Sequence, residues 1–274
     1  MPAFICSTCG TQYPPSDIPP ASCPVCQDER QFLPPEGQSW TTLERLRISH
    51  HNGFRQYESG LIGIGTTPKF AIGQRALLLL TPEGNILWDC ISLIDDATVT
   101  LINALGGLRA IAISHPHFYT TLVEWSRAFG RIPVYVHAND AAWVRQPDDC
   151  INFWQGDRFE LLKDVTLVRG GGHFPGGAML HWAAGAEGKG VVCSADMAIA
   201  NLDRKSFSFM RSIPNFIPLS EKAVRAVSAA LMPLAFDRVY SHHFERVVQS
   251  GAKEILRNSV ERYVAAIGGA YDRA

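Results

Sequence analysis

No apolar run in this 274-residue chain approaches the roughly 18 residues that a membrane-spanning helix needs; Ala76–Leu80 is among the longest. An excess of charge of either sign is also missing. With 25 basic and 26 acidic residues the formal net charge is −1, which excludes a global pull toward nucleic acid or anionic lipid. The start, Met1-Pro2-Ala3-Phe4-Ile5, offers neither the basic nor the apolar stretch of a secretory signal, so a cytoplasmic location is expected. In a reducing compartment, cysteines serve as metal ligands or thiols rather than disulfides, and the odd count of seven agrees. What remains is an ordinary globular composition, 46% apolar and 19% charged, on a chain long enough for one large core or two unequal ones.

Proline divides the chain. Eight of the seventeen prolines fall within residues 1–38, a density that forbids helices and central strands. Something other than an apolar core must hold this stretch, and it contains Cys6, Cys9, Cys23 and Cys26. The spacing is C-x2-C, thirteen residues, then C-x2-C. Each pair can sit on a tight turn that aims two thiolates at one ion, and two such turns complete a tetrahedron. Four thiolates suit zinc and iron alike, and structural zinc is the favoured reading, with iron open at either site. The stretch carries one basic residue, Arg30, against Asp17, Asp28, Glu29 and Glu36, so phosphate would be repelled. The expected division is a metal knuckle over 1–38 and a single α/β domain over 39–274.

Within the second part, Arg75–Thr81 and Ile86–Cys90 predict a hairpin around Pro82-Glu83-Gly84-Asn85, and Ala110–Ile113 predicts a strand buried on both faces. A helix is expected over Phe118–Phe129, then strands at Pro133–Val136, Val165–Val168, Ala178–Trp182 and Val191–Cys193. Ser220 is expected to cap a helix burying Val224, Val227 and Leu231. Ser250 is expected to cap a last one with Val260, Tyr263, Val264 and Ile267 on its apolar face.

The candidate catalytic residues follow the buried strand. In Ser114-His115-Pro116-His117 an extended backbone would project both imidazoles to one side, where they can grip one ion. Alone, such a pair is also what structural histidines give. Downstream, Gly170-Gly171-Gly172-His173-Phe174-Pro175-Gly176-Gly177 sets a histidine among five glycines, and Val191–Asp196 delivers a carboxylate just past an apolar strand. His137, His181 and His50-His51 have no partner pattern and read as structural or exposed. Cys90 and Cys193 read as small buried hydrophobes. Phe207, Phe209, Met210 and Phe216 read as packing before a substrate-facing lip.

Taken together, Asp89, the His115-x-His117 pair, the Gly-His-x-Pro-Gly turn at His173, Asp196 and a final histidine after Tyr240-Ser241 resemble the metallo-β-lactamase superfamily over about residues 60–245. The final histidine reads most naturally as His243, with His242 open. The CSTCGTQY and CPVC turns resemble rubredoxin-like knuckles and zinc ribbons. The first resemblance implies an αβ/βα sandwich with metal at one edge. It also implies a first metal on His115, His117 and His173, joined by Asp196. The family's HxHxDH segment ends here in Tyr119 and Thr120, so the second metal loses two of its ligands and one catalytic ion is expected.

The reading that follows is a hydrolase using a mononuclear metal-bound water on a small-molecule substrate, without nucleic acid or membrane. Asp196 would be ligand and proton acceptor, and Asp89 an orienting group. Tyr119 would be a donor to developing oxyanion charge, and His243 the late site histidine. Two other classes stay open: a mononuclear-iron oxidoreductase whose knuckle delivers electrons, and a non-catalytic metalloprotein. Colour separates them, since ferric iron on four cysteines is red and an all-zinc protein is colourless.

Overall fold

A computed structural model describes residues 1–272, which fall into two compact units, Met1–Trp154 and the chain from Gln155 onward. In the first unit, Ala3–Cys6 pairs antiparallel with Gln12–Pro15 on one side and with Trp40–Thr41 on the other. A seven-stranded sheet follows. Its order from edge to edge is Ile151–Trp154, Val134–His137, Ala110–Ala112, Ile86–Trp88, Arg75–Leu79, Leu61–Thr67 and His51–Glu58. The first four strands are parallel and the rest antiparallel. The expected hairpin forms, with Leu77 opposite Trp88 and the turn closed by Thr81, whose hydroxyl donates to Gly84 O at 2.7 Å.

Strands covered on both faces read as largely apolar runs, and the antiparallel Arg75–Leu79 and its neighbours Ile86–Trp88 and Ala110–Ala112 are buried throughout. Their side chains meet Ile102 of the helix Asp96–Ala104 and Leu122 and Trp125 of the helix Leu122–Ala128. Ile5, from the proline-rich stretch, joins the same core. Asp95 caps the helix Asp96–Ala104 by accepting from Thr98 N at 2.7 Å. Asp95→Ala is expected to cost about 1 kcal/mol in chemical unfolding; no measurable loss would mean that water caps this helix equally well.

The second unit holds a six-stranded sheet in the order Arg158–Leu162, Val165–Arg169, Ala178–Trp182, Val191–Ala195, Arg238–Ser241, Val247–Val248. Its pairs are antiparallel except Val191–Ala195 with Arg238–Ser241. The helix Glu221–Leu231 starts at Ser220 as expected, Ser220 Oγ accepting from Ala223 N, and buries Val224, Val227 and Leu231.

Two helix expectations are corrected. The helix expected from Phe118 begins only at Leu122, because Pro116 opens a 3-10 turn over Pro116–Phe118 and Thr120 takes a positive φ of 31°. The last helix is preceded by Gly251 rather than capped by Ser250. Gly251 sits at φ 66°, its N–H donates to Asp237 Oδ1 at 2.7 Å, and the helix Ala252–Ile267 buries Ala252, Leu256 and Val260 while Ile267 is exposed. Among the described residues no helix is long and apolar enough to cross a membrane.

Candidate metal centres

The four knuckle cysteines converge. Cys6 ends the strand Ala3–Cys6, and the chain turns back through Gly10, at φ 83°, whose N–H donates to Cys6 O at 2.8 Å. Cys23 precedes the single helical turn Pro24–Gln27, with Pro24 at its first position, and Cys26 N donates to Cys23 O at 3.0 Å. Cys6 Sγ lies 3.5 Å from Cys26 Sγ, and Cys9 Sγ lies 3.6 Å from Cys23 Sγ. A zinc–sulfur bond of about 2.3 Å puts sulfurs roughly 3.8 Å apart in a tetrahedron, so the spacing fits one ion.

The outer contacts are those of a thiolate site. Gln38 Nε2 donates to Cys6 Sγ at 3.1 Å. Cys6 falls below the ordinary thiol range through hydrogen bonds from Cys23 and then Cys26, and Cys23 is drawn down to about 7, chiefly by Cys26. Cys9 and Cys26 rise, each first through its hydrogen bond with Cys23. An ion taking all four as thiolates must displace the protons that the thiols hold in its absence. Tyr13 and Trp40 close the cluster edge to face at 5.2 Å.

In the first unit His115 and His117 come together by a turn, not by an extended strand. His115 is extended at φ −169°, and Pro116 then starts the 3-10 turn that brings the two ring centroids to 5.1 Å. Both residues are buried. Ser114 Oγ lies 2.8 Å from His115 Nδ1. Asp89, at φ 65°, accepts from Ser114 N through Oδ1 at 2.7 Å while its own N–H donates to Ala112 O, so it fixes the entry to the histidine turn.

Tyr119 is buried in the apolar core, and its hydroxyl donates to Asp140 O at 3.4 Å. Burial first, and the charge of Asp140 second, push its phenol well up, so it stays protonated. His137 is structural: Nδ1 accepts from Asn139 N, and the ring stands on Trp154 at 4.4 Å. Cys90 is fully buried and its thiol is pushed up by that burial.

In the second unit, the glycine run lets the backbone fold tightly around His173. Gly170 N and Gly171 N both donate to Gly177 O at 2.9 Å, and a Cβ on Gly177 would stand 3.1 Å from Gly171 O and 2.4 Å from Met197 Sδ. His173 is completely buried. Its Nδ1 meets Met210 O at 3.0 Å, which assigns the proton to Nδ1, and its Nε2 lies 3.6 Å from Asp196 Oδ2.

Asp196 follows the strand Val191–Ala195 after a positive φ of 44° at Ala195. The late histidine beside it is His242, with Nδ1 3.2 Å from Asp196 Oδ1; His243, favoured from the sequence, instead places Nδ1 3.0 Å from His242 O. His181 is tied to Ala235 O at 2.8 Å and its burial lowers its basicity, a structural role. Phe207 and Phe209 are buried as expected, and Phe216 is 83% exposed. Sequence reasoning gave no site role to the Met210 carbonyl or to Ser114, since a backbone oxygen and a hydroxyl acting through the neighbouring ring leave no signal in the residue pattern.

Among the described residues the candidate metal ligands are Cys6, Cys9, Cys23 and Cys26, gathered in the first unit, His115 and His117, also in the first unit, and His173 and Asp196 in the second, all of them buried. Four cysteines suit a soft, thiolate-binding ion, and imidazoles with a carboxylate suit a borderline divalent ion.

No family model matches the chain. The uncharacterized protein YmaE of Bacillus subtilis (strain 168) is 45% identical over 269 residues, which is 97% of this chain and 97% of that protein. Solved structures are similar at lower identity. The metallo-β-lactamase DIM-1 matches with a TM-score of 0.57 and 12% identity over 79% of this chain and 98% of its own. The metallo-β-lactamase FIM-1 of Pseudomonas aeruginosa, in its mono-zinc form, matches with a TM-score of 0.56 and 15% identity over 78% and 96%. These likenesses show the fold, and it is the α/β metallo-β-lactamase fold expected from the sequence.

Proposed function

The chain belongs to the same family as the Bacillus subtilis protein YmaE and has the metallo-β-lactamase fold, and on that premise we propose that it is a hydrolase dependent on one catalytic divalent ion. The observation that carries the reading is His173, buried in the second unit with its Nδ1–H donated to Met210 O so that Nε2 offers its lone pair beside Asp196, and the buried His115–His117 turn of the first unit supports it. His115, His117, His173 and Asp196 would hold the ion. When bound, a divalent ion such as zinc supplies Lewis acidity, polarising a substrate oxygen and acidifying water.

The remaining work falls to the protein's own side chains. Asp89 and Ser114 orient the His115 ring, and Met210 O orients His173. His242, 3.2 Å from Asp196, is placed to exchange a proton with that carboxylate. Support for a single catalytic ion comes from Tyr119 and Thr120 at the positions where the resemblance would have ligands. The knuckle, residues 1–38, would carry a structural zinc. Thiolate ligation of this kind is at home in a reducing compartment, and we place the protein in the cytoplasm.

Elemental analysis of protein purified without chelator is expected to give two ions per chain, and three would sink the single-ion reading. A screen of esters, thioesters, phosphodiesters, lactones and a chromogenic β-lactam should then reveal an activity that a chelator removes. Hydrolysis that survives complete metal removal would refute metal dependence.

Tyr119 is tested separately. Its hydroxyl is engaged by Asp140 O, so Tyr119→Phe is expected to cost about 1 kcal/mol of stability and leave kcat within a few-fold. A fall of roughly 10²–10³ in kcat at full metal content would instead establish it as a donor to the reacting oxygen.

A further inference from the structure

The knuckle and the histidine turn share one side chain. Gln74, buried, donates from Nε2 to Cys9 O at 2.7 Å and to His117 O at 3.1 Å. Both hydrogens of one planar carboxamide are thus committed, one to a residue of each ligand group. Two further contacts run alongside. Gln12 N donates to Thr120 O at 3.0 Å, and Ser92 Oγ donates to Gly10 O at 3.0 Å.

The fit is close at this seam. A Cβ on Gly10 would stand 2.3 Å from Ser92 Oγ and 3.5 Å from Gln74 Nε2. Backbone movement at Cys9 must therefore be felt at Gln74, and through it at the carbonyl that orients the peptide following His117. A four-cysteine turn depends on its ion for its shape, whereas packed sheet strands do not.

We propose that Gln74 is a positioning residue that couples occupancy of the four-cysteine site to the placement of His117, so that the two sites load cooperatively. The inference rests on the reading that His115 and His117 bind an ion. The coupling is carried by a hydrogen-bonded side chain with one partner in each site, which is the physical form that linkage between sites requires. Orienting partners outside the ligand shell are typically worth about 10–100-fold in metal affinity.

The test uses the full chain and cobalt(II), stripped of other metal and titrated against a competing chelator. The thiolate-to-cobalt charge-transfer band reports the cysteine site, and the weaker ligand-field bands report the histidine site. Gln74→Glu keeps the shape and removes both donors. It is expected to lower cobalt affinity at the histidine site roughly 10-fold. Cys6→Ser with Cys23→Ser should do the same, and the combined variant should lose no more than the larger of the two. Linkage must be reciprocal. Blocking the histidine site with His173→Ala, remote in sequence from Gln74, should therefore weaken the cysteine site by the same factor in the wild-type background and not in Gln74→Glu.

Histidine-site affinity unchanged by Gln74→Glu, or losses that simply add, would overturn the coupling while leaving the hydrolase reading intact. Absence of any cobalt at the histidines of the wild-type protein would overturn both. Should Gln74→Glu fail to fold, as circular dichroism would show, the His173→Ala measurement decides alone: a cysteine site of undiminished affinity refutes the coupling.

Discussion

Replacing His173 with alanine is expected to reduce the metal content from two ions per chain to one and to bring any hydrolytic activity down to background. The residue is fully buried, its Nδ1 is anchored on Met210 O, and its Nε2 lies beside Asp196, so it has no role left to play as a surface or flexible group. Removing one imidazole of three leaves a divalent ion with too few neutral donors to compete with water, and with the ion goes the Lewis acid. His181→Ala is the control. That histidine lies in the strand Ala178–Trp182 with its ring Nε2 on Ala235 O, so His181→Ala should cost stability of about 1 kcal/mol and leave both ions in place. Elemental analysis reads the outcome without a known substrate. Two ions retained in His173→Ala would refute the histidine centre.

The second large effect concerns the scaffold beneath the histidine turn. Trp125 is completely buried, stacks on Phe129 at 6.3 Å, and donates from Nε1 to Ile91 O at 2.8 Å. Trp125→Ala deletes that ring from the core of the first unit and should cost about 3–5 kcal/mol, largely for the cavity left behind. Ile91 O keeps a second donor in Thr121 Oγ1 at 3.2 Å, so the carbonyl is not stranded and the loss is mainly one of packing. Against a typical total of roughly 5–15 kcal/mol, this is enough to shift the unfolding midpoint in denaturant conspicuously. A loss under about 1 kcal/mol would mean that the helix Leu122–Ala128 melts independently of the sheet.

Local chemistry was legible in the sequence, and long-range chemistry was not. The C-x2-C pairs announce their turns because a thiolate site is built from spacing alone, and the sheet strands announce themselves because burial on both faces leaves no room for polar residues. The glycines around His173 carry their own message, since a side chain on Gly177 would collide with backbone. Other features depend on partners far along the chain. The sequence pattern predicts the helix after His117 four residues too early, because Thr120 reaches φ 31° in a segment whose carbonyl is held by Gln12 from the knuckle. His242 and His243 are adjacent and chemically identical, and only the position of Asp196 separates them. For the last helix the sequence favours Ser250, the better capping side chain, but Asp237 Oδ1 captures Gly251 N from fourteen residues away. Gln74 carried no signal at all, because an isolated glutamine in a strand approach has no pattern to betray its two acceptors.

The burial of Ile5 among Leu43, Leu46 and Ile64 has a practical corollary for anyone shortening this protein. Trimming the chain to start near residue 39 would not release a tidy catalytic domain. It would leave an apolar hollow where Ile5 sits, and it would strip Trp40–Thr41 of the strand it pairs with, exposing unpaired backbone donors and acceptors beside that hollow. Sticky hollows next to open strand edges recruit other molecules of the same kind. The trimmed protein should elute from size exclusion as aggregate where the full chain does not, and expression trials should keep the first residues.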